Sequence, residues 1–154
     1  MQEWYRSRAL YETVLKLLKA RKFGDALELA DRIPDKKIRS MALNQIIIEM
    51  VKSGGDYSRV IEKAVEGAME IPKKEESIKA LMRLAFDLLE IGKIDDAVKI
   101  ASYIPDVSNK SKVEAEIAIK LAERGDIQRA MEILDNLLDE DVKTWAMSRL
   151  ANKL

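Results

Sequence analysis

The sequence predicts an all-α protein: four helical hairpins in tandem and a fifth, unpaired helix at the C-terminal end. Three observations lead there. The stretch from Ala80 to Pro105 reads as a helix, a turn at Gly92, a second helix and a proline that ends it. The same frame recurs, with unit starts at Ala9, Ala42, Ala80, Val113 and Ala146, at steps of 33, 38, 33 and 33 residues, and periods in this range mark stacked supersecondary units. The composition, 47% hydrophobic and 35% charged with three prolines in 154 residues, suits a helical globular chain, expected to form a single domain over 1–154.

Five columns set the register. Five residues after the starts stand Val14, Ile47, Ala85, Ala118 and Ala151; twelve after stand Arg21, Gly54, Gly92 and Gly125. Then come Ala26, Ala97 and Ala130, next Ala30, Ala68 and Ala101, and last Ile33-Pro34, Ile71-Pro72 and Ile104-Pro105. The second unit fits once five residues are inserted around Gly54-Gly55-Asp56-Tyr57-Ser58, where a turn is expected to absorb them.

Each column has a physical reason. Small residues let two helices approach closely. Glycine at the end of the first helix takes a left-handed conformation without a Cβ clash. Proline after the second helix cannot donate to the next turn. Asp35 and Asp106 follow two of these prolines and can cap the next helix. First helices are expected near 4–21, 36–53, 74–91, 108–124 and 140–153, and second helices near 23–33, 57–71, 94–104 and 127–138.

The pattern resembles the tetratricopeptide repeat family. Leu84-Ala85, Gly92 and Ala97 carry the resemblance, and Ala118, Gly125 and Ala130 repeat it. The period of 33 is one short of the family's usual length, the second helix is shorter, and the family's aromatic positions are mostly aliphatic here. The resemblance implies an α-solenoid, a right-handed superhelix whose concave face is lined by the first helices. It also implies a C-terminal capping helix, and a partner that is a protein or peptide.

The chemistry-bearing residues are few. The chain has no cysteine and no histidine, which removes disulfides, thiol catalysis, the commonest general base and the commonest zinc ligand. Gly54-Gly55 lacks the Lys-Ser/Thr of a phosphate loop. Asp139-Glu140-Asp141, Asp95-Asp96 and Glu75-Glu76 sit at helix starts, where negative charge meets the positive end of the helix dipole. Neither an enzymatic activity nor a cofactor or metal is expected. Lys+Arg and Asp+Glu both number 27, a balance that weighs against nucleic acid. A local alternative is the basic region Lys16–Arg39, in which Lys16, Lys19, Arg21 and Lys22 end one helix and Lys36, Lys37 and Arg39 start another. The N-terminal residues lack the apolar run of a signal peptide and the longest wholly apolar run is three residues, so a cytoplasmic protein without a membrane span is expected. Abundant Lys and Glu with few Asn and Gln lean toward a thermophilic source.

The sharper signal lies on the first helices. At 100° per residue, offsets zero, one, four, five and eight from each start form one apolar arc, and offsets three, seven and ten form an opposite stripe that is polar in the first four units. Offsets two, six and nine lie between. They hold Tyr11, Leu15 and Leu18; Asn44, Ile48 and Val51; Met82, Phe86 and Leu89; and Ala115, Ile119 and Ala122. In the family these offsets face the concave groove, so Tyr11, Leu15, Leu18, Ile48, Val51, Met82, Phe86, Leu89 and Ile119 form the candidate partner-binding groove, with Ile48, Phe86 and Ile119 in one row. The strip is expected to fade at the last helix, where Ser148 and Asn152 are polar. Two readings stand. Either a tight superhelix buries these residues against the next hairpin, or the groove is open and takes an amphipathic partner or a second copy of the chain.

Overall fold

The computed structural model describes residues 1–153. They form nine helices: α1 (Gln2–Lys19), α2 (Phe23–Ala30), α3 (Lys36–Ser53), α4 (Ser58–Met69), α5 (Lys74–Glu90), α6 (Ile94–Ala101), α7 (Val107–Glu123), α8 (Ile127–Asp135) and α9 (Glu140–Lys153). No strand occurs among the described residues. Packing divides the chain into two compact units, Met1–Ala80 and Leu81–Leu154, with the boundary inside α5. In the first unit α3 packs on α1, α2 and α4; in the second α7 packs on α6, α8 and α9.

The turn inside each hairpin is the same backbone device four times. One residue just past each of the first four first helices is left-handed: Gly54, Gly92 and Gly125 have φ of 78°, 87° and 90°, and Arg21 takes φ 59° in the same column. Each turn carries the two crossed hydrogen bonds that close a helix end. In the first, the Lys22 N–H reaches the Leu17 carbonyl at 2.9 Å and the Arg21 N–H the Leu18 carbonyl at 3.0 Å. In the third, the Lys93 N–H reaches Leu88 at 2.8 Å and the Gly92 N–H reaches Leu89 at 3.1 Å. The first hairpin therefore keeps the turn while lacking the residue best suited to it.

The second helices end earlier than proline alone requires. α2 and α6 end four residues before Pro34 and Pro105, and α4 ends three before Pro72. A tight turn then folds the intervening isoleucine inward: the N–H of Ile33, Ile71 and Ile104 donates to the carbonyl three residues back at 3.1, 3.3 and 3.1 Å. Ile33, Ile71 and Ile104 are buried. In the fourth hairpin Leu137 makes the same bond to Leu134 at 3.2 Å and is buried too, although no proline follows. The stop is therefore this apolar plug, and proline reinforces it. The inserted residues of the second unit also behave differently from expectation. α4 has 12 residues where α2 and α6 have eight, so most of the insertion becomes an extra turn of helix rather than loop.

In each compact unit one first helix is tied to the next by its start. Asp35 caps α3 through Oδ1, which accepts the Ile38 N–H at 2.9 Å, and its own N–H donates to the buried Ser7 Oγ of α1 at 3.0 Å. Asp139 caps α9 by accepting the Val142 N–H at 3.1 Å, and its N–H donates to the buried Ser111 Oγ of α7 at 3.3 Å. Asp106 caps α7 through the Asn109 N–H at 2.9 Å. In the interior of the chain the small-residue columns are buried, apart from the half-buried Ala80. Ala9 and Ala151, on the first and last helices, are exposed.

The strained turn makes a quantitative prediction. A left-handed non-glycine residue costs about 1–2 kcal/mol, and glycine's extra freedom in the unfolded chain offsets about 0.5–1 kcal/mol of that. Arg21→Gly is expected to stabilise the chain by roughly 0.5–1 kcal/mol, read as a higher urea midpoint with unchanged slope. Gly92→Ala is expected to destabilise it, because φ is 87° and the new Cβ would lie 2.8 Å from Arg124 Nη2. Equal midpoints for wild type and both variants would contradict this account of the turn.

Candidate functional site

The nine expected groove residues divide by accessibility. Tyr11 and Leu15 of α1, Ile48 and Val51 of α3, and Met82 and Phe86 of α5 are half-buried. Leu18, Leu89 and Ile119 are buried, at 6%, 7% and 2% exposure, and present little to a partner. The expected row of Ile48, Phe86 and Ile119 therefore lacks an accessible member on α7. The reason lies in where α7 sits: it packs on α6, α8 and α9 and is covered on most of its surface.

In the second unit Met82 and Phe86 line an open hollow of about 440 Å³. Its other walls are Lys112 and Glu116 of α7 and Asp141, Val142 and Trp145 of α9. The floor is apolar and the rim charged. Trp145 is 46% exposed, and the Arg149 guanidinium lies 5.3 Å from the centre of its ring. Arg149 also reaches Glu116 Oε1 at 3.3 Å, and Lys153 reaches Glu123 Oε1 at 2.7 Å. These two pairs span α7 and α9 beside the hollow.

Sequence reasoning missed Trp145 and Val142. The polar Ser148 and Asn152 are both exposed, so the strip does fade along α9. Trp145, however, stands one residue before the last unit start, which is offset six moved back one heptad. Extending the inner offsets one turn toward the helix start would have found it. Val142 falls on the stripe that is polar in the first four units, and no periodicity marked it.

The basic region does not assemble. Ser7 meets the start of α3, whereas Lys16 and Lys19 stand nine and twelve residues further along α1. At 1.5 Å per residue that places them ~14–18 Å from Lys36 and Lys37 along the helix axis. Arg39 Nε donates to the Ile33 carbonyl at 2.9 Å and Lys37 faces Glu76 at 3.8 Å. The acidic pairs at helix starts also take local partners: Asp95 binds Arg129 at 2.7 Å. Among the described residues, no three acidic side chains are placed to hold a metal ion. No helix among them is long and apolar enough to cross a membrane.

Two polar groups sit in unfavourable surroundings. Asn44, at offset two of α3, is 3% exposed, and neither its Oδ1 nor its Nδ2 has a hydrogen-bond partner within the described chain. Asp87, the neighbour of Phe86, has its carboxyl pushed above the ordinary value by burial, with Arg83 partly offsetting. Burial likewise raises Glu114, offset by Lys110.

No protein-family model matches the sequence, and no curated protein matches it either.

Two measurements follow. Leucine has asparagine's number of side-chain heavy atoms and its branch at Cγ and needs no hydrogen bonds, so Asn44→Leu is expected to stabilise the chain by about 1–3 kcal/mol. A lower melting temperature for this variant would show that the amide is satisfied in solution. For Asp87, the folded state holds the proton more tightly than the unfolded state. The carboxylate's penalty is therefore present above the raised folded value and vanishes as pH falls below the ordinary 3.8. Asp87→Asn should raise the urea midpoint at pH 7 and leave it unchanged at pH 3; a gain of equal size at both would reject the assignment.

Proposed function

We propose that this chain is a non-catalytic interaction module that docks an apolar protein or peptide surface in the hollow between α5, α7 and α9. The observation that carries the proposal is the accessible cluster of Met82, Phe86, Val142 and Trp145 over an apolar floor with charged walls. Half-exposed aromatic side chains in a concave site offer large contact area at low ordering cost, as anchoring pockets at interfaces do. The hairpins fit a tetratricopeptide-like, right-handed solenoid, in which the first helices line the binding face. A cytoplasmic location belongs to the same reading. Nucleic-acid binding through Lys16–Arg39 is the weaker reading, because its two basic groups lie at different heights along α1 and part of the second is occupied.

The test is a display library of amphipathic helical peptides screened against the full chain. Binders should shift the Trp145 emission to the blue in a Trp4→Phe background. Phe86→Glu should weaken them at least tenfold while leaving helical circular dichroism and melting largely intact, since Phe86 is not fully buried. Peptides that bind Phe86→Glu and the parent equally would place docking elsewhere, and a library without binders would end the proposal.

A further inference from the structure

We infer that the occupant of the α5–α7–α9 hollow is the first turn of α1 from a second copy of this chain. The inference rests on the docking reading above and adds the identity of the partner.

The first argument is charge. The whole chain is neutral, but its halves are not: residues 1–80 carry 16 Lys and Arg against 13 Asp and Glu, and residues 81–154 carry 11 against 14. One copy's first unit therefore attracts another copy's second unit, and a net charge of zero leaves no overall repulsion between copies.

The second argument is the exposed ligand. Trp4 and Tyr5 are 51% and 61% exposed, and their rings meet edge to face at 5.1 Å between centroids. Such a pair is a ready apolar anchor at the start of a helix. Its flanking charges are Glu3, Arg6 and Arg8. The charged walls of the hollow are Lys112, Glu116 and Asp141. Glu116 already holds Arg149, so the open wall charges are Lys112 and Asp141, which can meet Glu3 and the arginines of the helix respectively, and complementary charge of this kind fixes register as well as rate. Opposite-charge contacts at the rim surround an apolar core, the arrangement of a specific interface.

The two surfaces are different patches of the same molecule, so the contact is head-to-tail. Such contacts propagate unless rotation closes them into a ring. The expected result is a sedimentation-velocity mass that grows with concentration past twice the monomer, and that falls in high salt as the rim charges are screened.

Complementation gives the decisive test, using only exposed residues so that folding is preserved. One variant carries Trp4→Ala with Tyr5→Ala and keeps an intact hollow. The other carries Trp145→Ala with Asp141→Lys and keeps an intact first turn. Each alone should sediment as a monomer, and an equimolar mixture should form a one-to-one complex that stops at two chains. Arg6→Glu with Arg8→Glu should weaken self-association at least tenfold. A wild type that stays monomeric at every concentration overturns the inference, as does self-association that survives in both variants. If that monomer still binds helical peptides with the blue shift of Trp145, self-association alone falls; if it binds none, the docking reading falls with it.

Discussion

Each compact unit depends on one joint: a buried serine hydroxyl near the start of one first helix accepts the N–H of the aspartate that caps the next. Ser7 holds Asp35, and Ser111 holds Asp139. In each case the aspartate also satisfies an orphan donor of its own helix through its side chain. The joint brings the starts of two first helices side by side, so they run parallel. In a buried setting an unmet N–H at either aspartate would cost more than the bond itself contributes. The intervening hairpin is then confined to a fixed span, closed by the left-handed turn at one end and the buried isoleucine or leucine at the other.

The hollow follows from this arrangement. With α7 and α9 started together, Glu116 and Arg149 fall opposite each other, as do Glu123 and Lys153. These pairs neutralise the polar stripe locally. Trp145 is left over the gap beside them, opposite Met82 and Phe86. Within the second unit the inner offsets are thus not uniformly open. On α7 they are used up as core, at Ala115, Ile119 and Ala122, whereas Met82 and Phe86 of α5 and Trp145 of α9 remain accessible.

Departures from the repeat are informative in this light. Arg21 occupies a left-handed position that glycine would fill without strain. Asn44 puts an amide with no partner among the described residues inside the first unit, and Asp87 holds its carboxylate partly out of water. Each is expected to lower stability, and each lies on a first helix or on the turn that ends one. Local choices that conflict with the fold are the expected marks of positions selected for more than folding.

The helices themselves were legible in the sequence, because each is specified by short-range physics. The apolar arc, the glycine or its substitute at the turn, the small residues at close approaches and the aspartate caps act within a few residues, and the 33-residue step repeats them. Accessibility was not legible, because it depends on which neighbours cover a face. Ile119 and Phe86 share an offset, yet one is buried at 2% and the other lines the hollow. Lys19 and Lys37 are near in sequence, yet the joint at Ser7 and the length of α1 keep their ends of the unit apart. Trp145 and Val142 joined the site only when α9 packed on α7. The sequence by itself determined the helices, their turns and their caps; only tertiary packing decided which apolar residues remained for a partner, because burial is a property of neighbours and not of a residue.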